Sequence, residues 1–283
     1  MIREKSMYLS LYNNEKMLFQ HILNETPKDI AYKAHSHSTY EILFVVKGNV
    51  SFVSEGARYQ LLKNDILLIP PNTFHNIQID DPSAYERYSF TFTSSIAKNA
   101  RFHLANDTNN TVLYRLKKTS ELESIFQKLD YYYNVLTKDA FFDVAQALLK
   151  DLCYFLSTNQ KYIKFSQDTQ YSPLLASVLN YINENLFTIK HITDINSALF
   201  ISYSYLIKLF KNQFNTSPKK YIMEKRLIEA QKLISQGEKP SVVYEKCGFE
   251  SYNVFYRGYT SYFGYAPSKQ SAHNIIQEVY SVN

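Results

Sequence analysis

The sequence predicts an α+β, multi-domain chain: an N-terminal β-barrel carrying a helical hairpin, then an all-α region built as two helix-turn-helix units. Three patterns carry this expectation. Between Tyr40 and Phe92 short apolar runs alternate with turn signals; between Ser120 and Thr158 the apolar spacing becomes helical; beyond Pro173 two short helix-turn-helix patterns flank one longer helix. The 283 residues, 45% hydrophobic and 20% charged, suit a globular protein of about two domains. No run of 18 apolar residues occurs, and MIREKSMYLS lacks a signal-peptide core, so a cytoplasmic chain is expected. Cys153 and Cys247 stand far apart and read as buried small apolar residues.

In chain order, the runs EILFVV, VSFVS, RYQLL, DILLIP and YSFTFT read as strands. Their breaks fall at Lys47-Gly48-Asn49, Glu55-Gly56, Lys63-Asn64-Asp65 and Pro70-Pro71-Asn72. Many short strands at near-regular spacing argue for a small barrel or sandwich over residues 1–115. His35 and His37 would share one strand face with Glu41, and His75 could arrive from a neighbouring strand. These four form a candidate binding site, to which the resemblance given below assigns an effector.

Residues 116–163 follow as a helical hairpin. One stripe is Leu122, Ile125, Phe126, Leu129 and Tyr133; the other is Phe141, Val144, Ala147, Leu148, Leu152 and Phe155. Its place between barrel and C-terminal region favours a dimer contact over simple core packing. The polar residues 164–172 read as a linker.

Residues 173–275 form the C-terminal unit. Its first helix starts at Pro173; a second is capped by Thr193 and ends near Leu199, and Ser202 caps a third in which Leu206, Leu209, Phe210 and Phe214 face inward. Asn215 is expected to stop that helix in the left-handed conformation. A long helix is capped by Ser217 with Pro218 at its first position and ends before Gly237, and Val242 and Val243 start another short one. Gly248-Phe249-Glu250-Ser251 then turns into a last helix buried along Phe255, Tyr259 and Phe263, leaving Asn253, Tyr256 and Arg257 outward. From Pro173 on there are 12 Lys and Arg against 8 Asp and Glu, leaving 19 against 18 before it, so most of the net +5 lies in this region. That balance is compatible with nucleic acid.

Two families are resembled. His35, His37, Glu41 and Gly48 fit the spacing of the first cupin motif; Pro70 and His75 fit the second, where Asn64 and Asn72 replace glycines and Ile79 an Asn. In cupin enzymes such residues hold Fe, Mn or Ni; otherwise they line a small-molecule pocket. The C-terminal region resembles the DNA-binding domain of AraC/XylS-type transcription regulators. The matching residues are Ser202, Leu206, Phe210, Lys211, Pro218, Tyr221, Arg226, Leu227 and Ala230, then Gly248, Phe249, Ser251, Phe255, Arg257, Tyr259, Phe263, Gly264 and Pro267. Asn196 and Tyr244 stand where Ala is usual, Pro240 where Ile is, and Asn215 where Gly is.

This resemblance implies a cytoplasmic homodimer that binds double-stranded DNA and responds to a small-molecule effector, a sugar being the first expectation. It places base contacts on Ser204, Ile207 and Lys208 and on Asn253, Val254 and Arg257, with Tyr203 and Lys211 at phosphates. No catalytic residue, cofactor or metal is expected. The alternative is a cupin metalloenzyme using His35, His37, Glu41 and His75.

Overall fold

A computed structural model describes residues 6–27, 35–37, 39–54, 57–71, 73–93, 95–96, 111–116, 119–158, 162–164, 173–214 and 216–269. The expectations for Glu55-Gly56, Asn72, the bulk of the linker and Asn215 lie outside these residues. The strands are β1 (Ser6–Asn13), β2 (Met17–Asn24), β3 (Tyr40–Lys47), β4 (Val50–Ser54), β5 (Ala57–Leu61), β6 (Ile66–Ile69), β7 (His75–Ile79), β8 (Tyr85–Phe92), β9 (Val112–Tyr114) and β10 (Tyr162–Lys164). They form a seven-stranded sheet, β1-β2-β8-β3-β6-β9-β10, and a three-stranded sheet, β5-β4-β7.

Alternation along the strands assigns two faces to the larger sheet. Leu43, Val45, Leu67, Ile69 and Leu113 point between the sheets and pack with Val50, Phe52, Leu61, Ile77 and Tyr85. The opposite face, with Phe19, Ile42, Phe44, Tyr88, Phe90 and Phe92, is covered by α1 (Ser120–Val135) and α2 (Lys138–Thr158). The buried stripe of α1 is Leu122, Ile125, Phe126 and Leu129, as the spacing predicts. That of α2 is rotated from the expectation to Phe141, Ala145, Leu149, Leu152, Cys153 and Leu156, while Ala147 is exposed. Apolar residues cover so much of α2 that spacing alone does not select the side that meets the sheet. The hairpin therefore closes the barrel core with its inner stripe. Tyr131, Val135 and Tyr154 remain exposed on its outer side.

A polar knot ties α1 to the barrel. His21 of β2 lies 2.9 Å from Glu86 and 2.8 Å from Asp130 of α1, and Asp130 accepts from Ser10 and Tyr88. Burial opposes the charge on His21, but its hydrogen bonds to the two carboxylates raise its pKa above the ordinary value. The knot is thus fully formed below the unfolded histidine value and is lost as pH rises through the folded one.

The missing second-motif glycine is explained at Asn64, which takes φ 68° itself and donates to Thr119 and Glu123 of α1. Asn tolerates the left-handed region better than other side chains. At Gly48, with φ 127°, a Cβ would meet the Tyr85 ring at 2.9 Å.

The C-terminal helices are α3 (Pro173–Glu184), α4 (Ile192–Leu199), α5 (Tyr203–Phe214), α6 (Pro218–Ser235), α7 (Pro240–Lys246) and α8 (Tyr252–Phe263). Tyr221 and Ile222 at the start of α6 join the core of α3, α4 and α5, while Leu227 and Ala230 farther along join that of α7 and α8. One helix thus belongs to both units. Arg226, between those two sets, donates to Leu186 O at 2.8 Å, Ile189 O at 2.6 Å and Gly248 O at 2.8 Å. Three carbonyls at two chain turns are satisfied by one guanidinium, which a point charge such as Lys would not match.

Ser202, Ser217 and Ser251 cap their helices as expected. The cap of α4 is His191, not Thr193: Asp194 accepts from the backbone of Lys190 and His191, closing the first turn two residues earlier. Asn196, which departs from the family pattern, donates its side-chain amide to Ile201 O and so ties the turn between α4 and α5. Tyr244 packs edge-on to Tyr252, and Pro240 opens α7 at its first turn, where no backbone N–H is required. Both departures are thereby accommodated.

Candidate functional site

Two outward helix faces and one buried polar cluster are the candidate sites. On α8 the ladder Phe255, Tyr259 and Phe263 is buried, and Gly264 ends the helix with φ 78°. Asn253, Tyr256 and Arg257 are then exposed on the other side, as the spacing predicts. On α5, Leu206, Phe210 and Phe214 are buried while Tyr203, Ser204, Lys208 and Lys211 are exposed. Ile207 and Val254 are half-buried; Val254 rests against the core of its unit and presents only part of its side chain. An Arg and an Asn on one exposed helix face can read guanine and adenine edges bidentately, and Lys supplies phosphate contact.

Phe200 was not singled out by spacing. It is 95% exposed with φ 54° at the turn between α4 and α5. Apolar residues at turns look like core in a sequence, and only the backbone conformation turns this one outward. Between the two units lies a cleft of about 410 Å³ lined by Lys190, His191, Lys219, Arg226, Glu250 and Val254.

The buried cluster joins all four predicted residues. His35 and His75 form an antiparallel bridge, each backbone N–H donating to the other's carbonyl at 2.9 Å. His37 Nε2 lies 3.1 Å and His75 Nε2 3.4 Å from the same oxygen of Glu41. The other Glu41 oxygen accepts from Ser89 at 2.7 Å. His37 Nδ1–H donates to Thr39 O and His75 Nδ1–H to Thr73 O, both at 2.9 Å, which fixes Nε2 as the nitrogen facing the carboxylate. Without a second ring proton, Nε2 offers a lone pair opposite another on Glu41. Such pairs repel unless a proton or a metal cation lies between them.

Burial works against the charge on Glu41, yet hydrogen bonds and charge from His37 and His75 hold its carboxyl well below the ordinary range. The ring nitrogens of His35, His37 and His75 lie within 4.8 Å of one another. Since a divalent ion keeps N and O donors at about 2.0–2.2 Å, this spacing together with Glu41 fits an imidazole–carboxylate metal site. A bound ion would supply Lewis acidity there. The four residues would hold it, and Thr39 O and Thr73 O would orient two of the imidazoles.

Strand pairing adds neighbours that motif spacing does not reveal. Thr91 stands opposite Glu41, Ser89 opposite Leu43, and Gln20 opposite Ser89, so all three share the inward face. Thr91 is fully buried, and its hydroxyl has no hydrogen-bond partner among the described residues. A signal existed in the alternation of Ser89 and Thr91 with Tyr88, Phe90 and Phe92, whose apolar members face the helices. In this barrel Ser89 and Thr91 of β8 face inward, while Glu86 lies on the helix side with Tyr88.

Residues 23–129 match the family described as an AraC-like ligand binding domain, and residues 196–272 match a helix-turn-helix domain. The probable transcriptional regulator LumQ of Photobacterium leiognathi is 33% identical over 91 residues, 32% of this chain and 37% of LumQ, so the chain spans about a third of that relative. The HTH-type transcriptional regulator YobQ of Bacillus subtilis is 26% identical, covering 83% of this chain and 87% of YobQ. The raffinose operon transcriptional regulatory protein RafR of Pediococcus pentosaceus is 23% identical, covering 84% of this chain and 86% of RafR.

Proposed function

The chain belongs to the AraC-type transcription regulators, DNA-binding proteins with a ligand-binding domain, and we propose that it reads DNA with α5 and α8 under control of an effector held at the His/Glu cluster. The observation that carries the reading is the pair of helix-turn-helix units sharing α6, each with an exposed polar face on its second helix. Arg257 and Asn253 supply the more discriminating contacts. Ser204 and Lys208, with Ile207 and Val254 at apolar edges, supply the weaker ones, and Tyr203 and Lys211 touch phosphate.

Arg257→Ala is expected to weaken binding to a selected duplex by roughly 5- to 150-fold, from the about 1–3 kcal/mol of a bidentate Arg–guanine contact, and to relax preference at one base pair. Fluorescence anisotropy against selected and scrambled duplexes measures both. Equal binding by mutant and wild type would remove Arg257 from the reading face.

For the effector, His35, His37, Glu41 and His75 with the Thr91 hydroxyl offer donors and acceptors suited to a polyhydroxylated ligand, and RafR regulates a raffinose operon by its name. A sugar is therefore the first candidate. A divalent cation is the second, favoured by the two Nε2 atoms converging on one carboxylate oxygen. A thermal-shift screen of the full chain separates them: at 100 times its Kd a ligand adds about 2.7 kcal/mol, worth several degrees in Tm. Response to sugars but not to Zn2+, Mn2+ or Ni2+ supports the first reading; the reverse supports the second; no response to either class removes both.

The protein acts here without catalysis, in the cytoplasm, as a homodimer. Tyr131, Val135 and Tyr154 support a seam on the outer side of α1 and α2, which sedimentation of the full chain with Tyr131→Asp would test.

A further inference from the structure

We infer that the His/Glu end of the barrel is mechanically joined to both reading helices, so that occupancy of the cluster changes how the two are held. This rests on the proposed effector site and deepens it. Two of the barrel residues that touch the C-terminal helices are sequence neighbours of the clustered imidazoles. Ser36 lies between His35 and His37. Its backbone N–H donates to the Tyr262 hydroxyl of α8 at 3.3 Å, and its own hydroxyl lies 3.0 Å from the same oxygen.

Phe74 immediately precedes His75. It is 1% exposed, and its ring is buried in the core of the first helix-turn-helix unit, with centroids 4.9 Å from Tyr221 and 6.4 Å from Phe214. Among the described residues it is the barrel's one member of that core. Gln78, farther along β7, donates to Gln213 O in the last turn of α5. One barrel end therefore grips the C-terminal ends of α5 and α8 together.

The two grips are not independent. The reciprocal backbone bonds between His35 and His75 join the segment bearing Ser36 to the strand that follows Phe74. His37 and His75 also share one oxygen of Glu41. A ligand that draws the imidazoles away from Glu41, or inserts between them, displaces both neighbours at once. The latch is small, one buried ring and a few polar contacts, as suits a contact made and broken by an effector. A ligand shifts such an equilibrium only by its difference in affinity between docked and released arrangements, and the coupling runs equally in both directions.

The test uses the full chain as wild type, Tyr262→Phe, Glu41→Gln and the double variant. Tyr262→Phe keeps the ring and removes the hydroxyl that meets Ser36. By hydrogen exchange without DNA, Tyr262→Phe is expected to speed exchange of the His35 and His75 amides at least fivefold, and Glu41→Gln to do the same in the last turns of α5 and α8. Changes confined to the mutated domain would overturn the inference. If Glu41→Gln fails to fold, the His35 and His75 amides in Tyr262→Phe decide alone.

The second readout is Kd for a fluorescent duplex selected by the wild type. Each single variant is expected to shift Kd at least fivefold, and the double variant by less than the product of the two. Multiplying effects would show independent sites and overturn the inference. A wild type that selects no duplex would overturn the DNA reading instead, and the exchange experiment would still decide the latch.

Discussion

Gly248→Ala is expected to destabilise the C-terminal helices by more than about 3 kcal/mol, enough to separate their unfolding from that of the barrel. Gly248 has φ 72°, a conformation that costs an L-residue about 1–2 kcal/mol. The larger effect is steric. An added Cβ would stand 2.3 Å from Phe187 O and 2.9 Å from the carbonyl carbon and Cα of Phe187. These are backbone atoms, so no rotamer change relieves the clash.

Moving the turn also withdraws Gly248 O from Arg226, whose other donors hold Leu186 O and Ile189 O. The joint between the two units opens where a charged hydrogen bond is worth about 1.5–3 kcal/mol. Gly248→Asn should do no better, because a side chain that tolerates positive φ still carries the Cβ. Gly237→Ala is the control: φ is 97° there, but nothing lies within 4 Å of a Cβ, so only the backbone cost remains. Thermal unfolding followed by far-ultraviolet circular dichroism should show an early, helix-rich transition for Gly248→Ala alone. Coincident melting of Gly248→Ala and Gly237→Ala would refute the close-approach argument.

That joint was partly legible in the sequence, and the reason is local. A Gly followed by Phe249 and a Ser cap dictates a turn into a helix, and 3.6-residue spacing then assigns the faces of α8. The same holds for β3, β4, β5, β6 and β8, where turn residues bracket apolar runs. β2 is not marked as a strand in the sequence because its faces do not sort by polarity: Met17, Leu18, Phe19, Gln20, His21 and Ile22 are all buried in succession. A strand between two packed layers loses the period-2 signal.

His35, His37, Glu41 and His75 were legible because two motifs carry them at fixed spacing. Gln20, Ser89 and Thr91 were not, since their place beside Glu41 depends on strands far apart in sequence. Ser36 and Phe74 lie deeper still in this sense. A buried Phe reads as core, and nothing local reveals that this one belongs to the core of the other half.

Glu41→Leu is expected to cost about 3–5 kcal/mol at pH 7, the usual consequence of removing one member of a buried charged group while its partners remain. His37 and His75 are buried, and both direct Nε2 at the carboxylate that would be lost. The pH dependence provides the sharper check. Hydrogen bonds and charge from the imidazoles outweigh the burial of Glu41 and hold its folded pKa well below the ordinary value. Its contribution is therefore complete above the unfolded glutamate value of about 4.3 and is lost as pH falls from there toward the folded one.

Urea midpoints should accordingly show the widest gap between wild type and Glu41→Leu near neutrality. Below about pH 4.3 wild type should give up this contribution, which the variant never had. The Ser89 hydroxyl also loses its acceptor, so Ser89→Ala added to Glu41→Leu should cost little more, whereas Ser89→Ala alone removes a charge-assisted bond. Equal stability of Glu41→Leu and wild type at pH 7 would mean that the imidazoles do not need the carboxylate. The case for a cation or proton held between Glu41 and its two histidines would then fail.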